Sequence, residues 1–354
     1  MRELYGAKYL HIWKRTYLLL NVTQHGFTQG RSTITQLLSY YDTVLTMLEE
    51  KKEKSVDVIY LDFSKAFDKV DHGILLKKMR KLGVGGKLIK WLETFLTKRV
   101  QRVRVEGHLS EPQLVKSGVP QGSVLGPLFF IVMMLDIDSG VKNAKLASFA
   151  DDTRLWLLTK SLHEQAKLQQ DLDILYEWAE DNNFTFNEKK FEQLSYRSSD
   201  EADYTYNTPN KQTIEQKDTV RDLVVRFSAN GRFTEHIKLI VDEAKKLSGY
   251  ILRTFRTREV GPMVTLLKSF IISKLEYACV VWAPREKRLI KMIEDVQPKF
   301  TSRLGCFNEI DPDTGRQRCV TDYWEWLKEL KIFSLERRHE RYLILYLYDL
   351  IDLI

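Results

Sequence analysis

Residues 56–63 read VDVIYLDF, an almost continuous apolar run that ends with one carboxylate. Such a run is typical of a strand buried on both faces, with Asp62 near its carboxyl end. Two further apolar stretches, 145–150 and 153–158, enclose Asp151 and Asp152. Short strands around a two-residue turn predict a tight hairpin. The sequence therefore predicts buried strands that carry three carboxylates at their ends.

Helical and polar segments surround these strands. Residues 100–106 (VQRVRVE) alternate and predict a half-buried strand, with a return strand at 114–116. Residues 198–219 are polar and predict an exposed connecting loop. Apolar residues at helical spacing predict helices over 34–50, 72–97 with a break at Gly83–Gly86, 161–181, 232–303 and 321–354. This order predicts an α+β fold, in which an antiparallel-rich domain precedes a helical domain.

The composition favours a folded protein of about two domains. The chain has 354 residues, of which 44% are hydrophobic and 29% charged, which excludes global disorder. No apolar run reaches the roughly 18 residues that would indicate a transmembrane helix. The three cysteines, Cys279, Cys306 and Cys319, form no C-x-x-C pair, so neither a disulfide framework nor a structural zinc site is expected. We expect an intracellular protein, in the nucleus or the cytoplasm, without a membrane partner.

Positive charge is concentrated in one part of the chain. The formal net charge is +7, and residues 221–303 alone contain 17 Lys or Arg and 9 Asp or Glu. A basic zone of this kind suits a polyanion such as nucleic acid. A solvated basic surface without a partner explains the charge equally well.

The three carboxylates suggest metal chemistry. Hard divalent cations prefer carboxylate oxygens, and Mg²⁺ commonly takes one or two carboxylates together with substrate phosphates. Asp62, Asp151 and Asp152 in one place could hold two Mg²⁺, or Mn²⁺ as an alternative, for phosphoryl transfer. An Asp-Asp pair alone is more often a plain turn. Buried strands that end in carboxylates are costly unless the carboxylates bind something, and this favours the metal hypothesis.

Several ordered motifs resemble those of reverse transcriptases, most closely the non-LTR (LINE-type, jockey- and CR1-like) retrotransposon enzymes. YLDFSKAFDKVDH at 60–72 resembles their first catalytic motif, SGVPQGSVLGP at 117–127 the second, and FADD at 149–152 the third. QHGF at 24–27 with GRS at 30–32 resembles a fingers segment, and NEKK at 187–190 a fourth motif. LEYA at 275–278 with VWAP at 281–284 resembles a signature on the thumb side.

The resemblance implies an RNA-directed DNA polymerase with a right-hand fold. Its implied segments are residual fingers at 1–55, an antiparallel-sheet palm at 56–197, a polar connecting loop at 198–219, a basic helical thumb at 220–305 and a C-terminal helical extension at 306–354. The implied partners are an RNA template, a DNA primer and deoxynucleoside triphosphates, and the oligomeric state is left open.

The resemblance also implies site residues. The catalytic carboxylates would be Asp62, Asp151 and Asp152, which with the main-chain oxygen of Phe63 would bind the metal ions. The nucleotide-binding set would comprise Phe63, Phe67 as a block to a 2′-hydroxyl, Gln121, Gly122, Lys190 and Arg31. Each residue has a plainer interpretation: Phe67 as a core residue, Gly122 as a loop glycine, and Lys190 as a solvated lysine in competition with Lys189.

The sequence departs from the family's pattern at its beginning. Residues 1–20 do not resemble the longer basic fingers region of family members, and no endonuclease domain is recognisable. We therefore expect an N-terminally truncated retrotransposon reading frame. The alternative function is a weak or inactive fragment that only binds nucleic acid. An RNA-templated RNA polymerase is a third hypothesis, against which Phe67 argues.

Overall fold

The computed structural model describes residues 23–49, 55–159, 161–196, 204–304 and 322–351. The chain divides into two compact units, residues 1–220 and 221–354. Cys279 is buried and free, whereas Cys306 and Cys319 lie outside the described residues. Among the described helices, none is long and apolar enough to cross a membrane.

The first unit combines short strands with helices. Its strands are β1 (Ser55–Leu61), β2 (Val100–Gln101), β3 (Arg104–Val105), β4 (His108–Leu109), β5 (Gln113–Leu114), β6 (Lys145–Phe149), β7 (Asp152–Thr159), β8 (Glu192–Tyr196) and β9 (Glu215–Gln216). Its helices are α1 (Thr33–Glu49), α2 (Ala66–Lys69), α3 (His72–Lys81), α4 (Gly86–Leu96), α5 (Gly126–Met134) and α6 (Leu162–Asp181), with a 3₁₀ turn at Glu188–Lys190. The α+β prediction is confirmed.

A five-stranded sheet with the order β6-β7-β1-β8-β9 forms the centre of this unit. The pairs β6–β7, β7–β1 and β1–β8 are antiparallel, and β8–β9 is parallel. The apolar run predicted as a buried strand is β1, which lies between two neighbours. The predicted hairpin around Asp151 is the β6–β7 pair.

The two faces of the sheet are covered by different helices. On one face, the Tyr40 hydroxyl of α1 lies 2.9 Å from that of Tyr60 and 3.1 Å from that of Tyr196. On the other face, Ile59 and Leu61 join a core that includes buried residues of α3, α4, α5 and α6. Alternate residues of β1 point to opposite faces, so a strand with apolar or aromatic residues at nearly every position is buried on both sides.

The predicted break between two helices is present. Gly83 and Gly86 have φ values of 88° and 61°, a left-handed conformation that glycine adopts without strain. The side chain of Asp71 caps the start of α3, because its Oδ1 accepts a hydrogen bond of 2.9 Å from the Ile74 amide.

The prediction of a half-buried strand over 100–106 is wrong. The segment forms two very short pairs, β2 with β5 and β3 with β4. Both faces of these pairs are exposed, and Val103 and Val105 are 62% and 63% exposed. Alternation of side chains indicates a strand, but burial also requires an element that covers one face.

The predicted exposed loop over 198–219 also differs from the structure, although residues 198–203 lie outside the described ranges. Tyr206 and Ile214 are buried in the core, and β9 extends the sheet. The Tyr206 hydroxyl donates a hydrogen bond of 2.7 Å to Oδ2 of the buried Asp57. A few aromatic and aliphatic side chains among many polar ones are sufficient to dock this segment.

The second unit is mainly helical. Strand β10 (Thr219–Asp222) spans the boundary, and the further elements are β11 (Val225–Ser228), α7 (Thr234–Thr254), α8 (Val260–Leu266), a π-helical segment (Leu267–Ile272), α9 (Ser273–Glu276), α10 (Cys279–Trp282), α11 (Lys287–Glu294), α12 (Val296–Thr301), α13 (Tyr323–Glu329) and α14 (Leu335–Ile351). Helix α14 packs against α9, α10 and α11. The segments predicted separately as a thumb and a C-terminal extension therefore share one compact unit.

Candidate active site

The ends of two paired strands bring Asp62 and Asp151 close together. In the antiparallel β1–β7 pair, Leu61 lies opposite Thr153, so the residues that follow β1 lie beside those that precede β7. Burial raises the pKa of the Asp151 carboxyl, and the negative charge of Asp62 adds to this effect. Two neighbouring carboxylates repel each other when both are ionised, so a cation between them is favourable.

Lys190 supplies a positive charge at this position. Its Nζ lies 3.0 Å from Oδ2 of Asp62. The 3₁₀ turn that carries Lys190 is held against the end of β1, because the Asn187 amide donates a hydrogen bond of 2.8 Å to the Asp62 carbonyl. The Lys190 side chain is 63% exposed, so this ion pair is weak and can exchange for another cation.

Asp152 follows Asp151 directly, and its side chain has a different environment. It is exposed at the start of β7, where its cross-strand partner is Phe149. Within the described ranges, no group of three or more His, Cys, Asp or Glu side chains is arranged to hold a metal ion. The structure thus brings Asp62 and Asp151 into electrostatic contact, and the role of Asp152 stays a prediction.

The turn before Asp151 is fixed by a side chain that sequence reasoning did not select. Ala150 has a φ of 56°, and its amide donates to Oε1 of Gln24 at 2.9 Å. In return, Nε2 of Gln24 donates to the Ala150 carbonyl at 3.1 Å. Gln24 is buried, and its Oε1 also accepts from the Gly26 amide at 2.8 Å. One carboxamide therefore satisfies both polar groups of the Ala150 residue.

The sequence contained only a weak signal for this role of Gln24. A Cβ atom at Gly26 would lie 2.4 Å from the Ala150 nitrogen, so a glycine is required two residues after Gln24. The Gln-x-Gly spacing hints at a close approach of two backbones. The partner lies 126 residues away, and spacing alone does not identify it.

Arg31, predicted to bind nucleotide, is engaged with the same segment. Its Nη1 donates a hydrogen bond of 2.7 Å to the Gln24 carbonyl, and burial lowers its pKa. His25 lies nearby, with Nδ1 3.0 Å from Oγ1 of Thr35. Burial, followed by the charges of Arg31 and Arg154, lowers the pKa of His25 to about 4, so this ring is neutral near pH 7.

The loop that resembles the second motif is docked on α2. Oγ of Ser117 donates to the Asp68 carbonyl at 2.9 Å, and Nε2 of Gln121 donates to Oδ1 of Asp68 at 2.8 Å. Gly118 has a φ of 89°, and a Cβ there would lie 2.8 Å from the Asp68 carbonyl oxygen. Gly122, with a φ of 75°, faces open space. The first and second motifs are therefore joined through Asp68.

The two predicted phenylalanines have different environments. Phe63 is buried and stacks on Phe186 with ring centroids 4.5 Å apart. Phe67 is only partly buried; it stacks on the buried Phe130 at 4.3 Å and meets the edge of Phe27 at 6.1 Å. Phe130 therefore fixes the orientation of the Phe67 ring while part of that ring stays accessible.

Comparisons with known proteins identify related sequences. The family described as reverse transcriptase (RNA-dependent DNA polymerase) matches residues 10–226. A probable RNA-directed DNA polymerase from transposon X-element of Drosophila melanogaster is 28% identical over 296 residues, which cover 80% of this chain and 32% of that protein. The RNA-directed DNA polymerase from mobile element jockey of the same organism is 28% identical over 298 residues, with the same coverage of 80% and 32%.

A solved telomerase from Candida albicans in complex with a TWJ fragment of telomeric RNA has a TM-score of 0.48 at 12% identity, covering 92% of this chain and 58% of that chain. The chain spans about a third of the length of the curated relatives given above. The family match covers well over half of the chain and includes the residues that form the site. The chain therefore belongs to the reverse transcriptase (RNA-dependent DNA polymerase) family.

Proposed function

We propose that this chain is the polymerase portion of a non-LTR retrotransposon reverse transcriptase, which adds deoxynucleotides to the 3′ end of a DNA primer on an RNA template. The observation that carries the proposal is the convergence of Asp62 and Asp151 at the ends of β1 and β7, within the region that matches the family. Phosphoryl transfer depends mainly on positioning and charge neutralisation, for which paired carboxylates with a nearby cation are suited.

Reverse transcriptases use divalent metal ions, and the residues present fit such an ion. Asp62 and Asp151 offer carboxylate oxygens, and Asp62 already carries the Lys190 ammonium at 3.0 Å, so a positive charge is stable there. We assign the metal-holding role to Asp62, Asp151 and the main-chain oxygen of Phe63, with Asp152 as a further carboxylate. When bound, two Mg²⁺ ions would supply activation of the primer hydroxyl and neutralisation of the leaving pyrophosphate.

The remaining residues have roles in nucleotide selection. Lys190 can turn from Asp62 to a triphosphate, since its side chain is mostly exposed. Phe67, held by Phe130, would exclude a 2′-hydroxyl, and Gln121 with Gly122 would face the incoming nucleotide and template. The hydrogen bond from Arg31 to Gln24 favours a role in which Arg31 supports the turn before Asp151, rather than one in gripping the triphosphate.

One observation favours a second function, in which the chain binds nucleic acid without polymerising. Among the described residues, no cluster of three or more His, Cys, Asp or Glu side chains is arranged to hold a metal ion. If Asp152 does not reach the ions during the reaction, charge neutralisation is incomplete and extension is weak.

A primer-extension assay separates these two functions. It uses an RNA template annealed to a DNA primer, with Mg²⁺ and deoxynucleotides, and compares the wild-type chain with Asp62→Asn and with the exposed control Asp42→Asn. We expect extension by the wild type and the control, and a loss of about 100-fold or more in Asp62→Asn. Ribonucleotides should enter only after Phe67→Ala. Retained binding of template and primer by a wild type that does not extend would support the second function.

A further inference from the structure

A cavity of about 440 Å³ lies in the second unit, lined by the β10–β11 hairpin, helix α7, the π-helical segment and the α9 region. Its volume is in the range of cavities that bind small organic ligands. No residue of this cavity belongs to the site around Asp62 and Asp151. It requires an explanation of its own.

The cavity is positively charged. Arg221, Arg226 and Lys274 line it, and Glu243 is its one carboxylate. Lys274 Nζ is paired with Glu243 Oε2 at 2.7 Å, which leaves two guanidinium charges. Neither Arg221 nor Arg226 forms a salt bridge within the described part of the chain. A net charge near +2 in one cavity favours an anion.

Arg226 lies partly buried in the wall of the cavity. Its Nε is buried and has no hydrogen-bond partner among the described residues. The guanidinium of Arg226 therefore has no acceptor on its Nε that would offset its positive charge. The neighbouring His236 does not supply one, because its Nδ1 accepts the main-chain amide of Arg226 at 3.3 Å. Burial also lowers the pKa of His236 to about 4, so this ring adds no positive charge near pH 7.

The mouth of the cavity carries aromatic rings. Phe270 is 53% exposed, and Tyr277 is also partly exposed. The Tyr277 hydroxyl donates a hydrogen bond of 3.1 Å to the Leu223 carbonyl, which fixes the ring against the tip of the hairpin. Exposed aromatic rings beside a cationic groove are the usual platform for unpaired bases.

We propose that this cavity binds one unpaired nucleotide of a nucleic acid strand, with its phosphate against Arg221 and Arg226 and its base against Phe270 and Tyr277. The inference rests on the proposed function for the identity of the polymer, and it assigns to the second unit a contact with single strands. A duplex, whose bases are stacked and paired, offers phosphates but no free base to the aromatic rings. The proposed site should therefore prefer single strands.

The test measures binding of a fluorescently labelled single strand of about 12 nucleotides, a length that one binding module covers. Fluorescence anisotropy is recorded with the full chain, without divalent metal and without deoxynucleoside triphosphates. The three cavity variants are Arg226→Gln, Arg221→Gln and Phe270→Ala. Each is checked for folding by circular dichroism. Matched controls are Lys245→Gln and Tyr250→Ala on α7, which are exposed but do not line the cavity.

We expect each cavity variant to bind the single strand about 5-fold or more weakly, the scale of one lost stacking or phosphate contact, and each control to bind within about 2-fold of the wild type. Free dTMP and a duplex of the same sequence should compete poorly. Equal losses in the cavity variants and the controls would overturn the proposal in favour of a diffuse basic surface.

Strong competition by free dTMP would also overturn it, in favour of a site for free nucleotides. Because no metal or triphosphate is present, the result does not depend on polymerase activity. A chain that fails to extend primers but shows the expected pattern disproves the proposed function alone.

Discussion

The negative charge of Asp151 suits the binding of a cation but lowers the stability of the folded protein. Burial and the neighbouring Asp62 raise its pKa above the ordinary value of 3.8. Between pH 3.8 and the raised pKa of the folded state, the folded chain keeps a proton on Asp151 that the unfolded chain has lost. The free energy of unfolding therefore falls as the pH rises through this range. The ionised carboxylate at neutral pH is thus destabilising.

Asp151→Asn should therefore raise the melting temperature near pH 7 while it abolishes primer extension. The gain should shrink as the pH is lowered and level off below 3.8, where the wild-type carboxyl becomes protonated in both states. Thermal unfolding at several pH values measures the difference, with the exposed Asp42→Asn as a control that changes little. A melting temperature that falls in Asp151→Asn at neutral pH would contradict the proposed repulsion.

Val224 is strained at the tip of the β10–β11 hairpin. It is β-branched, has a φ of 78° and follows Leu223 with a φ of 44°. A left-handed conformation costs a residue with a Cβ roughly 1–2 kcal/mol, and Val224 is 52% exposed, so little packing compensates. Val224→Gly should raise the free energy of unfolding by about 1 kcal/mol, as measured by urea denaturation.

The exposed Val105 in β3 serves as the matched control for this substitution, because its φ is not positive. Val105→Gly should leave stability unchanged or lower it, since glycine there increases only the entropy of the unfolded chain. Equal destabilisation by both substitutions would show that Val224 is not strained.

At the scale of elements, the segment around Gln24 acts as a clamp on the β6–β7 turn. Loss of both hydrogen bonds to Ala150 would leave buried polar groups without partners, which typically costs about 1–3 kcal/mol. Gln24→Met should lower stability by that amount and accelerate hydrogen exchange of the Ala150 amide, while exchange in α6 stays slow.

A second buried glutamine serves as a control, because its substitution is expected to change stability in the opposite direction or not at all. Gln36 in α1 is buried, and neither its Oε1 nor its Nε2 has a hydrogen-bond partner among the described residues. Gln36→Met should therefore be neutral or stabilising. Destabilisation of equal size by both substitutions would mean that the hydrogen bonds of Gln24 contribute nothing beyond packing.

The elements that could be predicted from the sequence are those set by local pattern. β1, the β6–β7 hairpin and the pair α3 and α4 follow from apolar runs, a turn and two glycines. Exposure of residues 100–114, docking of Tyr206 and the Gln24 clamp depend on partners distant in sequence. The same limit applies to the site: Asp62 and Asp151 were predictable from strand ends, whereas the hydrogen bonds of Gln24 that fix the turn before Asp151 were not.

At the scale of the whole molecule, the family match confirms the predicted α+β fold of a right-hand polymerase, while the bounds of fingers, palm and thumb stay predictions. The two compact units meet at residues 220 and 221, so the basic zone of residues 221–303 lies entirely in the second unit. The proposed functions of the two units are therefore open to separate measurement, the carboxylate site in one and strand binding in the other.

Buried neutral histidines should make the protein sensitive to mild acid. Burial is the largest cause that lowers the pKa of His25 and of His236 to about 4, and it lowers that of His339 as well. The unfolded chain takes up protons near 6.5, before the folded one does. The contribution of these histidines to stability should therefore be constant above pH 6.5, fall as the pH is lowered towards 4, and level off below. Urea denaturation across this range tests the prediction, and a flat profile would contradict it.

The central claim is that Asp62 and Asp151 form a cation site in which Lys190 now provides the positive charge. Its most direct measurement is titration with Mn²⁺, followed by electron paramagnetic resonance of the free ion, without nucleotide or nucleic acid. Carboxylate oxygens suit Mn²⁺ as they do Mg²⁺. We expect Asp62→Asn and Asp151→Asn to weaken Mn²⁺ binding, Lys190→Gln to strengthen it because a competing cation is removed, and Asp42→Asn to leave it unchanged. Equal Mn²⁺ affinity in the wild type, Asp62→Asn and Lys190→Gln would contradict it.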